Sequence, residues 1–139
     1  MVSHSYHRTV VFVHPADGTA DELANRLRAL KTRNAIDDVQ IAHWEDANRP
    51  PSRSGLAVPV DALLEDAARW ADVHDALLPF TTSRRLFERL DTESLPPVLA
   101  EYWDGTLCYV APHVDEAGVR GVEEYVAAIE RRTGHHTRA

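Results

Sequence analysis

The stretch Pro96-Pro97-Val98-Leu99-Ala100-Glu101-Tyr102-Trp103-Asp104-Gly105-Thr106-Leu107-Cys108-Tyr109-Val110-Ala111-Pro112-His113 limits what this chain can fold into more than any other. Two β-branched and aromatic runs flank a two-residue Asp-Gly, the pattern of a β-hairpin closed by a type I′ turn, whose two central residues both need positive φ. The turn sets a register. With Asp104 and Gly105 at its centre, Trp103 is expected opposite Thr106, Tyr102 opposite Leu107, Glu101 opposite Cys108, Ala100 opposite Tyr109 and Leu99 opposite Val110. Side chains alternate across a strand, so one face would carry Val98, Ala100, Tyr102, Leu107, Tyr109 and Ala111. That apolar face is expected to be the core face. The other mixes Leu99, Glu101, Trp103, Thr106, Cys108 and Val110.

At 139 residues the chain has the size of one ordinary domain, large enough to bury a continuous core without metal or disulfide staples. It is therefore read as a single domain, 1–139, with residues 1–8 and 134–139 as flexible tails. No apolar run approaches the ~20 residues of a membrane span, and Met1 to Arg8 is polar, so a cytoplasmic protein is expected. Cys108 is the single cysteine, and mid-strand it reads as a small packing residue. The formal net charge is −7, and of fifteen basic residues only Lys31 is a lysine. Excess carboxylate with almost no lysine suits a salt-rich cytoplasm, where acidic side chains keep a surface hydrated, and a GC-rich genome by itself gives the same arginine bias. Such a chain lacks the general basic footprint of a nucleic-acid binder, so any DNA contact needs a locally basic patch.

In chain order, Thr9 to His14 is a β-branched run stopped by Pro15, hence a buried strand. Thr19 with Glu22 has the spacing of a capping box, and Leu23, Leu27 and Leu30, supported by Ala20 and Ala24, form the stripe of an amphipathic helix that Asn34 can close. Val39 to Trp44 alternates as a second strand, which makes a strand-helix-strand unit. Glu45 to Pro59, rich in Asn, Ser, Arg and Pro, is the longest loop. Val60 to His74 returns to helical period, with Leu63, Leu64, Ala67, Trp70 and Ala71 inward. Thr81 to Leu90 is a short amphipathic segment that Thr82 or Ser83 could cap. After the hairpin, Asp115 is expected to open a last helix carrying Val119, Val122, Val126 and Ile129, with Gly134 at its end. These segments predict an α/β (α+β) two-layer sandwich: about four strands including the C-terminal Asp-Gly hairpin, three main helices and one short helix, the helices mainly on one face.

A family resemblance rests on the Leu27 to Leu30 helix end, Ala35-Ile36-Asp37-Asp38-Val39 to Trp44, Trp70-Ala71 and Leu78-Pro79-Phe80. It continues through Leu95 to Ala100, Tyr102-Trp103-Asp104-Gly105, Tyr109 to His113 and the Val119 to Glu130 helix. On these residues the chain resembles small acidic haloarchaeal proteins of unassigned role, grouped under a helix-turn-helix-type domain label, from roughly Thr9 to Glu130. The likeness thins over Glu45 to Pro59 and Thr81 to Leu90. Being carried by packing and turn residues, the resemblance implies a shared fold, and its label implies DNA binding.

Placed on residues, the helix-turn-helix would use Val60 to His74 as supporting helix, Asp75 to Phe80 as turn and Thr81 to Leu90 as recognition helix. That helix would present Thr81, Thr82, Ser83, Arg84, Arg85 and Arg89. Arginine bonds guanine edges bidentately and hydroxyls bond phosphates, so the residue types fit. From Pro79 to Leu90, Arg84, Arg85 and Arg89 oppose only Glu88, a local charge of +2 in an acidic chain. The turn is longer than the usual ~3–4 residues, holds Pro79 and lacks glycine, and the plain alternative is a surface helix with solvated arginines.

Other candidates are weighed beside it. His14, His43 and His113 end three strands and would form a metal site if those ends met, with Cys108, Asp17 or Asp115 nearby, but their spacing matches no ligand pattern and strand-exit residues explain them equally well. Leu99, Trp103 and Val110, on the mixed hairpin face, would make an apolar surface for another protein or a second copy if exposed. Nucleophile elbows, phosphate loops and dinucleotide fingerprints are missing from the sequence, and no cofactor is implied. The expected function is thus a salt-adapted, non-enzymatic regulator binding DNA through Thr81 to Arg89. An interaction or oligomerisation module comes second and a histidine metal site third.

Overall fold

The run Thr9-Val10-Val11-Phe12-Val13 has no polar position after its first residue, so as a strand it can sit only where both faces are covered. The computed structural model, which describes residues 7–16, 18–44, 60–79 and 96–137, puts it there. Strand β1 (Arg8–His14) lies inside a four-stranded sheet of order β2-β1-β3-β4, with β2 at Asp38–His43, β3 at Val98–Trp103 and β4 at Thr106–Ala111. β1 and β2 are parallel, and β3 runs antiparallel to both β1 and β4.

Helices cover both faces of this sheet. Helix α2 (Val60–Val73) sets Leu63 and Leu64 against Val11, Val13, Val98, Ala100 and Tyr102. On the opposite face α1 (Asp21–Thr32) and α3 (Val122–Thr137) pack Ala24, Leu27, Leu30, Val126 and Ile129 on Val10, Phe12, Leu99 and Ala111. The expected two-layer sandwich is corrected to three layers. A sheet whose inner strands are apolar at consecutive positions has no face to give to water, so one layer of helices cannot bury it. The expected mixed α/β composition is present, with the hairpin in a four-stranded sheet and three main helices, while a separate two-stranded sheet takes the described strands beyond the four expected. The short helix expected over Thr81 to Leu90 and the loop Glu45 to Pro59 lie outside the described residues.

The hairpin turn forms as its sequence requires, with φ of 51° at Asp104 and 86° at Gly105. Its first two pairs, Trp103 with Thr106 and Tyr102 with Leu107, match expectation, and then a bulge intervenes. Glu101 faces Tyr109, Ala100 faces Val110 and Leu99 faces Ala111, leaving Cys108 as the extra residue. A one-residue slip turns every later side chain to the other face. Ala111 therefore joins the α1/α3 core, Val110 packs against Ala67, Trp70 and Ala71 of α2, and Tyr109 reaches both clusters. The structure also shows what holds the slip: the Trp70 indole N–H donates to the Cys108 carbonyl at 2.9 Å.

Helices α1 and α2 each end on a non-glycine residue in the left-handed region. Asn34 (φ 63°) and Asp75 (φ 56°) occupy these positions. In α1 the Asn34 N–H donates to Lys31 O at 2.9 Å and the Ala35 N–H to Leu30 O at 2.9 Å; in α2 the Asp75 N–H reaches Asp72 O at 3.4 Å and the Ala76 N–H Ala71 O at 2.8 Å. These are paired 5→2 and 6→1 closures that satisfy the last carbonyls. Three termini depart from expectation. The Thr19-Glu22 capping box does not form: Ala20 is the N-cap of α1 with no side-chain cap, and the turn from Gly18 (φ 88°) takes the Asp21 N–H instead. Asp115 does not open a helix either. It ends a short strand β5 (His113–Asp115), which pairs with β6 (Gly118–Arg120). The Asp115 carboxylate accepts from the Ala117 N–H at 2.8 Å, and this local bond favours the turn over helix. Finally, Gly134 lies inside α3, which runs to Thr137.

Candidate functional site

The DNA-contact residues expected from the sequence, Thr81, Thr82, Ser83, Arg84, Arg85 and Arg89, lie outside the described residues. Their approach does not. After the Asp75 stop the chain is stitched to β5 by a two-way bridge, Leu77 N–H to Val114 O and Val114 N–H to Leu77 O, each 2.8 Å. Among the described residues no two helices follow one another without a strand between them. The second helix of a helix-turn-helix pair is thus not among them, and α2 is the described helix that leads into the arginine segment.

The three histidines separate. His14 and His43 sit opposite each other on β1 and β2 with rings 4.8 Å apart, and the His14 Nδ1–H donates to Pro15 O at 2.8 Å. His113 follows β4, which β3 separates from β1. There its ring meets Trp70 edge-on at 5.0 Å, and its Nδ1 bonds Val110 O at 2.7 Å. Among the described residues no three His, Cys, Asp or Glu side chains are grouped to hold a metal, and Asp17 lies outside them. The expected convergence is corrected by strand order. The expected interaction face fails as well: Leu99 and Val110 are both fully buried, and the bulge puts them in different cores. Of that trio only Trp103 is half-exposed.

What the sequence reading missed is a buried carboxylate. Glu101, 7% exposed, stands mid-strand on β3, on the sheet face that α1 and α3 cover. It accepts hydrogen bonds from the Tyr125 hydroxyl of α3 and from the Trp103 indole N–H, and it pairs with the Arg8 guanidinium of β1, whose Nε lies 3.4 Å from it. Arg8 is directly opposite Trp103 in the β1–β3 register, so its guanidinium lies over the indole, 5.2 Å from the ring centre. It also donates to Ala35 O at 3.2 Å. A charge on a covered face is tolerated only with such a complement of donors. Burial first, and then the Glu101 carboxylate, pushes the Tyr125 hydroxyl well above its ordinary pKa. The sequence did hold a signal, a lone acid inside Val-Leu-Ala-Glu-Tyr-Trp, but the hairpin pattern put it on the mixed face rather than the core face.

From this cluster a chain of rings runs round the β4 edge to the opposite layer. Tyr125 stacks on Tyr109 at 5.2 Å, Tyr109 meets His113 edge-on at 5.4 Å, His113 meets Trp70 at 5.0 Å and Trp70 stacks on His74 at 4.5 Å. Edge-to-face and offset pairs of this kind add to plain area burial. They join α3 to α2 across the sheet's edge strand.

These features define a mixed α/β domain with charged and aromatic clusters but, among the described residues, no metal group. Nor is any described helix long and apolar enough to cross a membrane. A family model described as a helix-turn-helix domain matches residues 4–134, and the chain belongs to that family. No curated protein and no solved structure matches it.

Proposed function

We propose that this protein is a non-enzymatic regulator that binds duplex DNA through Thr81, Thr82, Ser83, Arg84, Arg85 and Arg89, the segment that follows α2. The observation that carries the reading is the match to a helix-turn-helix domain model over nearly the whole chain. Two features support the location. The segment holds a local charge of +2 in a chain of net charge −7, and its hydroxyl and guanidinium groups suit both phosphate and base-edge contacts. The bridge from Leu77 to β5 gives the chain leading to it a fixed origin on the body of the domain. Its composition, with fourteen arginines to one lysine and a net charge of −7, fits a salt-rich cytoplasm. The competing module built on Leu99, Trp103 and Val110 loses its surface through the burial of two of the three.

Titration of duplex DNA across a salt series tests the proposal. Binding should weaken with salt, and in Arg84→Ala/Arg85→Ala the slope of log K against log salt should fall by about 2, since each lost phosphate contact removes about 0.9. Absence of wild-type binding at the lowest salt that keeps the protein folded refutes the reading.

A further inference from the structure

Helix α3 does not roof the whole of its sheet face. Between its outer flank and the hairpin a cleft of about 570 Å³ stays open, with Arg8, Glu101, Trp103, Tyr109, Tyr125 and Arg132 among its lining residues. That volume is within the range of small-molecule sites, roughly 300–1,000 Å³. Its floor is aromatic. Glu101 adds no free negative charge there, since Arg8 pairs with it and Tyr125 and Trp103 occupy its oxygens. Arg8 Nε is buried within this cluster and, although 3.4 Å from Glu101, makes no hydrogen bond.

The rim is cationic. Arg120 is held by Glu124 at 3.0 Å, whereas Arg132, exposed, makes no ion pair among the described residues. Arg8, Arg120 and Arg132 against Glu101 and Glu124 give the cleft a net charge of +1 on a chain of −7. A small anion with a flat apolar body would meet both features at once, its ring on the aromatic floor and its charge on the planar guanidinium fork.

We infer that this cleft binds small aromatic carboxylates, with Arg132 as the anchor for the carboxylate group and the Trp103, Tyr109 and Tyr125 floor as the seat of the ring. The inference is independent of DNA binding. It assigns the domain a ligand site on the face that α3 covers.

Cys108 supplies the readout, because it is the chain's single cysteine, it is exposed and it lines the same cleft. Its maleimide labelling rate is measured with increasing indole-3-acetate as the probe, with indole and acetate as separate controls, and calorimetry in parallel. Indole-3-acetate is expected to slow labelling saturably, each control to do so far less, and Arg132→Ala to bind the probe about tenfold more weakly. Because Arg132 is exposed, that variant should keep the wild-type melting temperature, and since a cation lining the cleft also raises thiolate reactivity, protection in each variant is read relative to its own rate without probe. Unprotected Cys108 with no calorimetric heat overturns the inference. So does protection by indole alone, or an unchanged affinity in Arg132→Ala.

Discussion

At the scale of single residues the molecule's least expected feature is the pair of Arg8 and Glu101, both largely buried on a sheet face that packs under helices. Removing one partner from such a pair costs roughly 3–5 kcal/mol, because the other charge is left buried and uncompensated, whereas replacing both by apolar groups is often neutral. Urea unfolding of Glu101→Leu should therefore show a loss of that order, and adding Arg8→Met should restore most of it. A single variant as stable as the wild type would show that the pair carries no such linkage. The acid itself was visible in the sequence as a charge inside an apolar strand. Its partners were not, since Arg8 lies 93 positions and Tyr125 24 positions away along the chain.

At the scale of elements, local chemistry accounts for most of what forms. The apolar stripe of α1 buries Ala24, Leu27 and Leu30 as its spacing requires, and Asn34 and Asp104 take the positive φ their positions demand. Asp75 does the same at the end of α2, with φ 56° and an exposed side chain. A residue with a Cβ pays a steric cost there that glycine avoids, so Asp75→Gly should raise the unfolding free energy by roughly 0.5 kcal/mol, read from thermal denaturation. A fall in stability would mean that the Asp75 side chain contributes more than its backbone conformation costs. Elements whose bounds depend on distant partners were less legible. The bulge at Cys108 is held by an indole 38 residues earlier, and turn chemistry specifies only the pairs next to the turn.

At the scale of the whole molecule, two tyrosines tie the layers to the sheet. Tyr102 of β3 donates to Asp66 of α2 at 3.2 Å, and Tyr125 of α3 donates to Glu101 of β3. Burial, reinforced by the neighbouring carboxylate, holds both hydroxyls protonated far above the ordinary tyrosine range. In the unfolded chain they ionise near pH 10. Stability from this source is therefore fully present below about pH 10 and is lost as pH rises beyond it, by up to about 1.4 kcal/mol per pH unit for each tyrosine. Denaturant midpoints measured from pH 8 to 11.5 should show that decline. Tyr102→Phe and Tyr125→Phe should each make it shallower. An identical alkaline slope in both variants would leave the decline to other groups.

The sequence by itself determined the strand-helix-strand opening, the stripes of α1 and α2 and the tight reversal at Asp104-Gly105, because these depend on the preferences of neighbouring residues. It also marked Thr81 to Arg89 as a locally basic segment, with a charge of +2 in a chain of −7. Only the tertiary structure decided that helices cover both sheet faces, that β3 separates His113 from His14, and that Leu99 and Val110 are hidden rather than presented. Those outcomes depend on strand order and on contacts between distant positions, which no local pattern of side chains encodes.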